Sequence, residues 1–249
     1  MNQHTETRVA IVTGASRGIG AAIARRLAAD GHAVVVNYSS NAAEADAVVA
    51  QIAASGGKAI AVKGDVADPQ AVRALYDAAE QAFGGVDVLV NNAGVMPPAL
   101  PTLANTDDAS FDRLIAINFK GSFNTMREAA ARLRSGGRVI NSSTSVIGRA
   151  LPGYSVYAAT KAAIEIMTNI FAKELRGRNI TVNAVAPGPT ATDLFLNGKS
   201  EQAIEQTAKL SPLERLGTPE DIANTVSFLA GADGGWINGQ TLRPNGGIV

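Results

Sequence analysis

Short apolar runs alternate with helix-periodic segments along the whole chain, and this alternation constrains the fold more than any single motif. Residues 8–12 are strand-like. Residues 19–29 have helical spacing and stop at Asp30-Gly31, where glycine supplies a left-handed cap. Residues 33–36 form a second strand, continuous and β-branched, as suits one buried on both faces. Helix 42–54 and strand 59–62 follow. Asp68-Pro69 then opens a helix with a cap and a first-turn proline, running to about residue 83. Beyond it the pattern predicts strand 86–90, a long helix 107–133, strand 138–141, helix 154–176 and strand 180–185. After Pro187 come an irregular segment, a helix over 218–229 and a last strand over 240–242.

Strict alternation of this kind implies a parallel sheet covered by helices. An eight-stranded α/β barrel commonly has this length. Seven strands, and a glycine-rich turn after the first of them, favour the open alternative. The expected fold is α/β: a single doubly wound Rossmann-type domain over residues 1–249, with a seven-stranded parallel sheet and helices on both faces.

Composition removes several function classes. Lys plus Arg and Asp plus Glu are both 22, so no cationic surplus exists for nucleic acid. There is no cysteine, which excludes disulfide scaffolds, iron–sulfur clusters and Cys-based zinc sites. The two histidines, His4 and His32, are too few for a His-rich metal centre, so no metal is expected. A Ser-His-Asp hydrolase would rest on His32, which follows the helix-ending Gly31 and reads as a turn residue. No segment approaches the roughly 20 apolar residues of a membrane span. The polar start, residues 1–7, lacks the apolar core of a secretory signal, and a cytoplasmic protein is expected.

The turn Thr13-Gly14-Ala15-Ser16-Arg17-Gly18-Ile19-Gly20 lies between the first strand and the first helix. Glycines there allow a tight turn, close approach to a pyrophosphate, and close helix–strand packing. The helix N-terminus offers free N–H groups to phosphate. Gly14, Ser16, Arg17, Gly18, Ile19 and Gly20 are therefore cofactor candidates. The second strand ends Val36-Asn37-Tyr38-Ser39-Ser40, without the carboxylate that would hold a ribose 2′-hydroxyl. Arg17 can pair with a 2′-phosphate, and Asn37, Ser39 and Ser40 add neutral donors. This favours NADP(H) over NAD(H). Asp65 and Val66 follow the third strand; Asp65 can accept from an adenine amino group or cap the next helix.

Tyr157 and Lys161 stand four apart early in a helical segment, so phenol and ammonium share a face. A free tyrosine has a pKa of about 10. A neighbouring ammonium lowers it, making proton transfer near neutrality practicable.

In family order and spacing the chain carries Thr13-Gly14-x3-Gly18-x-Gly20, Asp65, Asn91-Asn92-Ala93-Gly94, Asn118, a hydroxyl-rich 142–145, Tyr157-x3-Lys161 and Pro187-Gly188. With these it resembles the short-chain dehydrogenase/reductase family over essentially its whole length. The 3-oxoacyl-carrier-protein reductase-like branch, with its NADPH-dependent aldehyde reductases, looks nearest. The resemblance implies that Tyr157 is the general acid in carbonyl reduction. It implies that Lys161 binds the nicotinamide ribose and lowers the Tyr157 pKa, and that Asn118 holds a water of the proton relay. A hydroxyl polarises the carbonyl. Register places Thr144 there, thirteen residues before Tyr157, but Ser145 opens a Ser-x-x-Gly stretch and Ser143 also flanks. Asn91, Ala93 and Gly94 would pass close to the adenosine ribose. Pro187 and Gly188 would face the nicotinamide, with Thr190 and Thr192 bonding its carboxamide or capping the next segment. The family also implies a homotetramer, pairing helices 107–133 and 154–176 across subunits, with a further contact from tail 236–247. The ending Leu242-Arg243-Pro244-Asn245-Gly246-Gly247 departs from the usual Val-Asp-Gly-Gly.

Ligands of open α/β sheets sit beyond the carboxyl ends of the strands. Segments 95–101, 146–153 and 193–212 leave those ends, the last reading as a mobile lid. Met96, Leu151, Tyr154, Leu194 and Phe195 predict a mainly apolar substrate pocket. An acyl-carrier-linked substrate would want a basic patch, for which Arg134, Arg176 and Arg178 are candidates. The reading is an NADPH-dependent reductase of an aldehyde, a ketone or a 3-oxoacyl thioester. The alternatives are an NAD-preferring alcohol, sugar or steroid dehydrogenase, and a non-catalytic dinucleotide sensor.

Overall fold

The strand Val9–Val12 (β1) is buried end to end and forms the spine of the sheet. The computed structural model describes residues 7–97 and 99–249; His4 and Pro98 lie outside the described residues. After β1 come α1 (Gly18–Ala29), β2 (Ala33–Tyr38), α2 (Ala42–Ala54), β3 (Lys58–Lys63), α3 (Pro69–Phe83) and β4 (Val86–Asn91). Next are α4 (Asp108–Leu114), α5 (Gly121–Arg132), β5 (Leu133–Ser142), α6 (Val146–Arg149), α7 (Ser155–Glu174) and β6 (Thr181–Val185). The chain closes with α8 (Asp193–Leu196), α9 (Glu201–Lys209), α10 (Pro219–Ala230) and β7 (Thr241–Leu242).

Among the described residues the seven strands form one all-parallel sheet in the order β3-β2-β1-β4-β5-β6-β7. The order reverses between β1 and β4, which opens a crevice at their carboxyl ends. Side chains alternate across the sheet, and this creates two cores. Ala10, Val12, Val34 and Val36 pack with α1, α2 and α10 on one face. Ile11, Val35, Leu89 and Val139 pack with α3, α5 and α7 on the other. Among the described residues no helix is long and apolar enough to cross a membrane.

Local chemistry sets the helix ends as the sequence suggested. Asp68 caps α3 by accepting from Gln70 N at 2.8 Å, and Gly84 ends it at φ 86°. His32 lies at the amino end of β2, buried, its Nδ1 3.1 Å from the Leu27 carbonyl, and burial lowers its pKa. It is a structural residue remote from the glycine turn.

Two expectations need correction. The single long helix over 107–133 is α4 and α5 joined by a π-helical turn at Ile115–Lys120. The widened turn contains Asn118 and Ser122 Oγ donates to its carbonyl at 2.9 Å, so side chains take over part of the main-chain pairing. The irregular segment after Pro187 holds two short helices, α8 and α9, and its base is closed by a bridge between Thr190 and Gly217.

Candidate active site

The glycine turn is held against the end of β4. Gly14 and Gly18 adopt φ of 59° and 55°, in the left-handed region. A Cβ at Gly14 would lie 2.9 Å from Ala93 Cα, and one at Gly20 would collide with the Gly14 carbonyl and sit 2.5 Å from Asn92 Nδ2. Asn92, absent from the residues singled out by sequence, organises this contact. Its Nδ2 donates to the carbonyls of Thr13 and Gly14, both at 3.0 Å, while Thr13 Oγ1 accepts from Asn92 N and Ala93 N. Its place within Asn91-Asn92-Ala93-Gly94 was the available signal.

The N-cap of α1 is Arg17, which makes no side-chain cap, and the first turn has no acidic residue. By contrast Asn41 and Asp68 cap α2 and α3. The leading N–H groups of α1 therefore face the turn without a side-chain acceptor, which suits a pyrophosphate. The cradle that Cβ atoms would fill, and these donors, fit a dinucleotide. Ile19 instead packs against the core beneath.

At the adenosine end several expectations change. Asn37 is buried and donates to the carbonyls of Val62 and Gly64, at 3.3 and 3.0 Å, while its Oδ1 accepts from Gly14 N at 3.3 Å. Its amide ties β2 to β3 and to the glycine turn. Ser39 and Ser40 are exposed at the rim. Arg17 is 70% exposed, with Nη1 3.9 Å from Glu44 Oε1, and Ser16 Oγ donates to Glu44 Oε2 at 3.4 Å. Asp65 is exposed and accepts from Ala67 N at 2.9 Å; Asp68, not Asp65, caps α3. The Val66 side chain is buried against Gly121, which leaves only its main chain for a nucleotide. The Asn91 side chain turns away, into a buried network with Asn141 Nδ2–Thr168 and Thr125 Oγ1.

The groups expected to react meet between β5 and α7. Helical spacing puts Tyr157 and Lys161 on one face of α7. Burial pushes the Tyr157 phenol up to about 12, while a hydrogen bond with the Thr144 side chain pulls it down. Lys161 is buried, and burial lowers it to about 8. The lysine is not among the groups shifting Tyr157; its Nζ donates to the Ser142 carbonyl at 2.8 Å. A Cβ at Gly94 would lie 3.4 Å from both Lys161 Nζ and Asn118 Oδ1, so this glycine leaves room beside the lysine.

Ser143, Thr144 and Ser145 differ in their partners. Ser143 Oγ donates to Glu165 Oε1 at 2.7 Å, and Ser145 Oγ to the Ala186 carbonyl at 2.8 Å. Thr144 Oγ1 accepts from Val146 N at 3.3 Å, and of the three it is Thr144 whose side chain acts on the Tyr157 phenol. Ser145 Oγ also accepts from Asn245 Nδ2 at 3.1 Å. Asn118 is occupied in its side chain: Oδ1 accepts from Val95 N at 2.8 Å and Nδ2 donates to Val95 O at 2.9 Å. Its amide anchors the loop after β4.

Around this centre, Tyr154 sets its ring edge-on to Tyr157, centroids 6.3 Å apart, with its own pKa raised by burial. Met96, Leu151 and Phe195 are partly buried, and Leu194 is 58% exposed. Lys199 Nζ lies 4.3 Å from the Phe195 ring centroid. Ser145 N donates to Pro187 O at 2.9 Å, and Gly188 N to Pro244 O at 3.1 Å. Thr190 Oγ1 donates to the Gly188 carbonyl at 3.0 Å and its backbone forms the bridge to Gly217, so its hydroxyl is spent within the loop. Thr192 donates to Thr190 O at 3.4 Å and makes no side-chain cap on α8; it lies against Gly18, where a Cβ would be 3.6 Å from its Cγ2. The proposed basic patch dissolves. Arg134 at the start of β5 donates to Gly84 O at 2.7 Å and pairs with Asp87, Arg178 donates to the carbonyls of Ala130 and Leu133, and Arg176 follows α7. All three sit at the amino ends of the strands, opposite Tyr157.

Comparison with known proteins places these features in context. A family model described as Enoyl-(Acyl carrier protein) reductase matches residues 14–249. A short-chain type dehydrogenase/reductase from Picea abies is 51% identical, covering 97% of this chain and 92% of that one. An NADPH-dependent aldehyde reductase-like protein, chloroplastic, from Arabidopsis thaliana is 46% identical, covering 97% of this chain and 94% of that one. The crystal structure of a short-chain dehydrogenase from Burkholderia cenocepacia in complex with NADP superposes with a TM-score of 0.91 at 40% identity, covering 99% of each chain.

Proposed function

The chain belongs to the short-chain dehydrogenase/reductase family, and from that premise we propose that it reduces a small, mainly apolar aldehyde or ketone with Tyr157 as proton donor. It is an oxidoreductase that uses NADP(H) to reduce a carbonyl group. When bound, the cofactor supplies the hydride that the carbonyl carbon receives. Tyr157 gives its proton to the carbonyl oxygen, and Thr144 donates a hydrogen bond that steadies the developing charge. Lys161, beside the space at Gly94, takes the ribose hydroxyls and offsets the charge left on the phenolate. The glycine turn and the α1 N-terminus hold the pyrophosphate, and Arg17 the 2′-phosphate. Asn118 acts at one remove, fixing the loop that carries Met96.

The observation that carries this reading is the convergence of the Thr144 hydroxyl on the Tyr157 phenol, with Lys161 buried on the same helix face. Turnover of small aldehydes, diketones and a 3-oxoacyl thioester, followed at the NADPH absorbance in Tyr157→Phe and Thr144→Val, tests it. Tyr157→Phe turning over at the wild-type rate would falsify the assignment. The position of Arg134, Arg176 and Arg178 favours a free carbonyl over a carrier-linked one. The segment 193–212 is proposed as the lid, supported by the absence of buried residues in α8 and α9 above the Thr190–Gly217 bridge. A cytoplasmic homotetramer completes the reading. Its support is the apolar surface left on the two helices expected to pair, with Phe123 45% exposed on α5 and Ile166 and Ile170 64% and 50% exposed on α7.

A further inference from the structure

Asn245 stands 100 positions after Ser145, yet its Nδ2 donates to Ser145 Oγ at 3.1 Å. Ser145 Oγ has one proton, and this goes to the Ala186 carbonyl at 2.8 Å. The serine is thus held from both sides, as donor to the end of β6 and acceptor from the tail. Its own N–H adds a bond to Pro187 O at 2.9 Å. On the other side of Thr144, Ser143 is pinned to Glu165 through its hydroxyl and to Val185 O through its N–H at 2.7 Å. Asn245 is itself held: Gly247 N donates to its Oδ1 at 2.9 Å, and its Nδ2 also reaches Val249 O at 3.3 Å. It touches the loop after β6 as well, since a Cβ at Gly188 would lie 2.8 Å from Asn245 Cα. The Val249 side chain lies against Gly148, where a Cβ would be 3.3 Å away.

We propose that Asn245 is a positioning residue for the reaction. It locks Ser145, and through it sets the Thr144 hydroxyl on Tyr157 in register with the Pro187-Gly188 loop. This rests on the reading of Thr144 as the carbonyl-polarising hydroxyl. The amide is what the geometry requires. An aspartate of the same shape has no N–H to give when ionised, so one Ser145 proton would face two acceptors in a buried place. A small misplacement near a reacting centre is costly, on the order of a hundredfold in rate for about 1 Å.

The test is a double-mutant cycle on kcat with Asn245→Asp and Thr144→Val, alongside NADP+ dissociation constants and thermal unfolding. Asn245→Asp is expected to lower kcat roughly tenfold, with NADP+ affinity within about twofold of wild type, and to cost nothing further in the Thr144→Val background. Equal losses in both backgrounds, or no loss in Asn245→Asp while Thr144→Val is slow, overturn the proposal alone. A Thr144→Val enzyme as fast as wild type removes the reading beneath it, and the proposal with it. If Asn245→Asp does not fold, Ser145→Ala deletes the receiving hydroxyl without touching the tail. The same kcat loss, again absent in the Thr144→Val background, is then expected, and additive losses overturn the proposal.

Discussion

Lys161 Nζ donates to the main-chain carbonyl of Ser142 at 2.8 Å, which ties the buried ammonium of α7 to the end of β5 two residues before Thr144. Burial holds its pKa near 8, below the ordinary 10.5. The folded chain thus binds fewer protons than the unfolded one between those values, and this group's penalty is full below about pH 8 and relieved as pH rises toward 10.5. Lys161→Met should lose turnover yet unfold at higher temperature at pH 7, the penalty removed being up to about 3 kcal/mol by the pKa relation. The gap should close by pH 10.5. Thermal melts across that range check it; a gap that widens with pH contradicts the assignment.

The same value shapes activity. With the Tyr157 phenol near 12, the proposed proton donor stays protonated throughout the neutral range. Reduction should therefore have a flat kcat/KM below about pH 8 and fall above it as Lys161 loses its charge. Lys161→Arg, provided it retains turnover, should carry the fall to higher pH. A decline unmoved in that variant would point to another group.

Arg17 sits exposed at the glycine turn, paired loosely with Glu44. Arg17→Ala should weaken NADP+ binding by ten- to a hundredfold, in keeping with about 1.5–3 kcal/mol for a charged hydrogen bond, and leave NAD+ nearly unaffected. Titration calorimetry with both nucleotides decides it. Equal losses for the two would mean that Arg17 shapes the turn instead of reading the phosphate.

A side chain at Gly20 has no place to go, because Gly14 O and Asn92 Nδ2 occupy it. Gly20→Ala should cost about 1–3 kcal/mol of stability through overpacking and weaken both nucleotides together. Urea unfolding and binding read the two effects separately.

The apolar positions on α7 test the assembly. Ile166→Glu with Ile170→Glu should shift the species seen by light scattering from the proposed tetramer to smaller forms, since buried unpaired carboxylates oppose association. A tetramer unchanged in mass would place the interface elsewhere.

The sheet and the glycine turn were legible because their signals are local. A continuous β-branched segment marks a strand buried on both faces, as in β2, and Gly14 and Gly18 announce the positive φ they adopt. The π-helical turn at Asn118 was not legible. Asn118 within it pairs with Val95, 23 positions earlier, a contact that no helical periodicity contains.

The sequence by itself determined that Tyr157 and Lys161 share a face, because a spacing of four on a helix fixes direction. It determined too that a glycine turn meets a helix N-terminus after the first strand. Only the tertiary structure decided which polar groups remain for chemistry. Asn37, Asn118, Ser143 and Ser145 carry the same atoms as groups that react or bind, yet each is consumed by partners from 22 to 100 positions away. A hydrogen-bonding group can work on a ligand only with the capacity the fold leaves unused, and that remainder is set by packing across β2, β5, β6 and the tail.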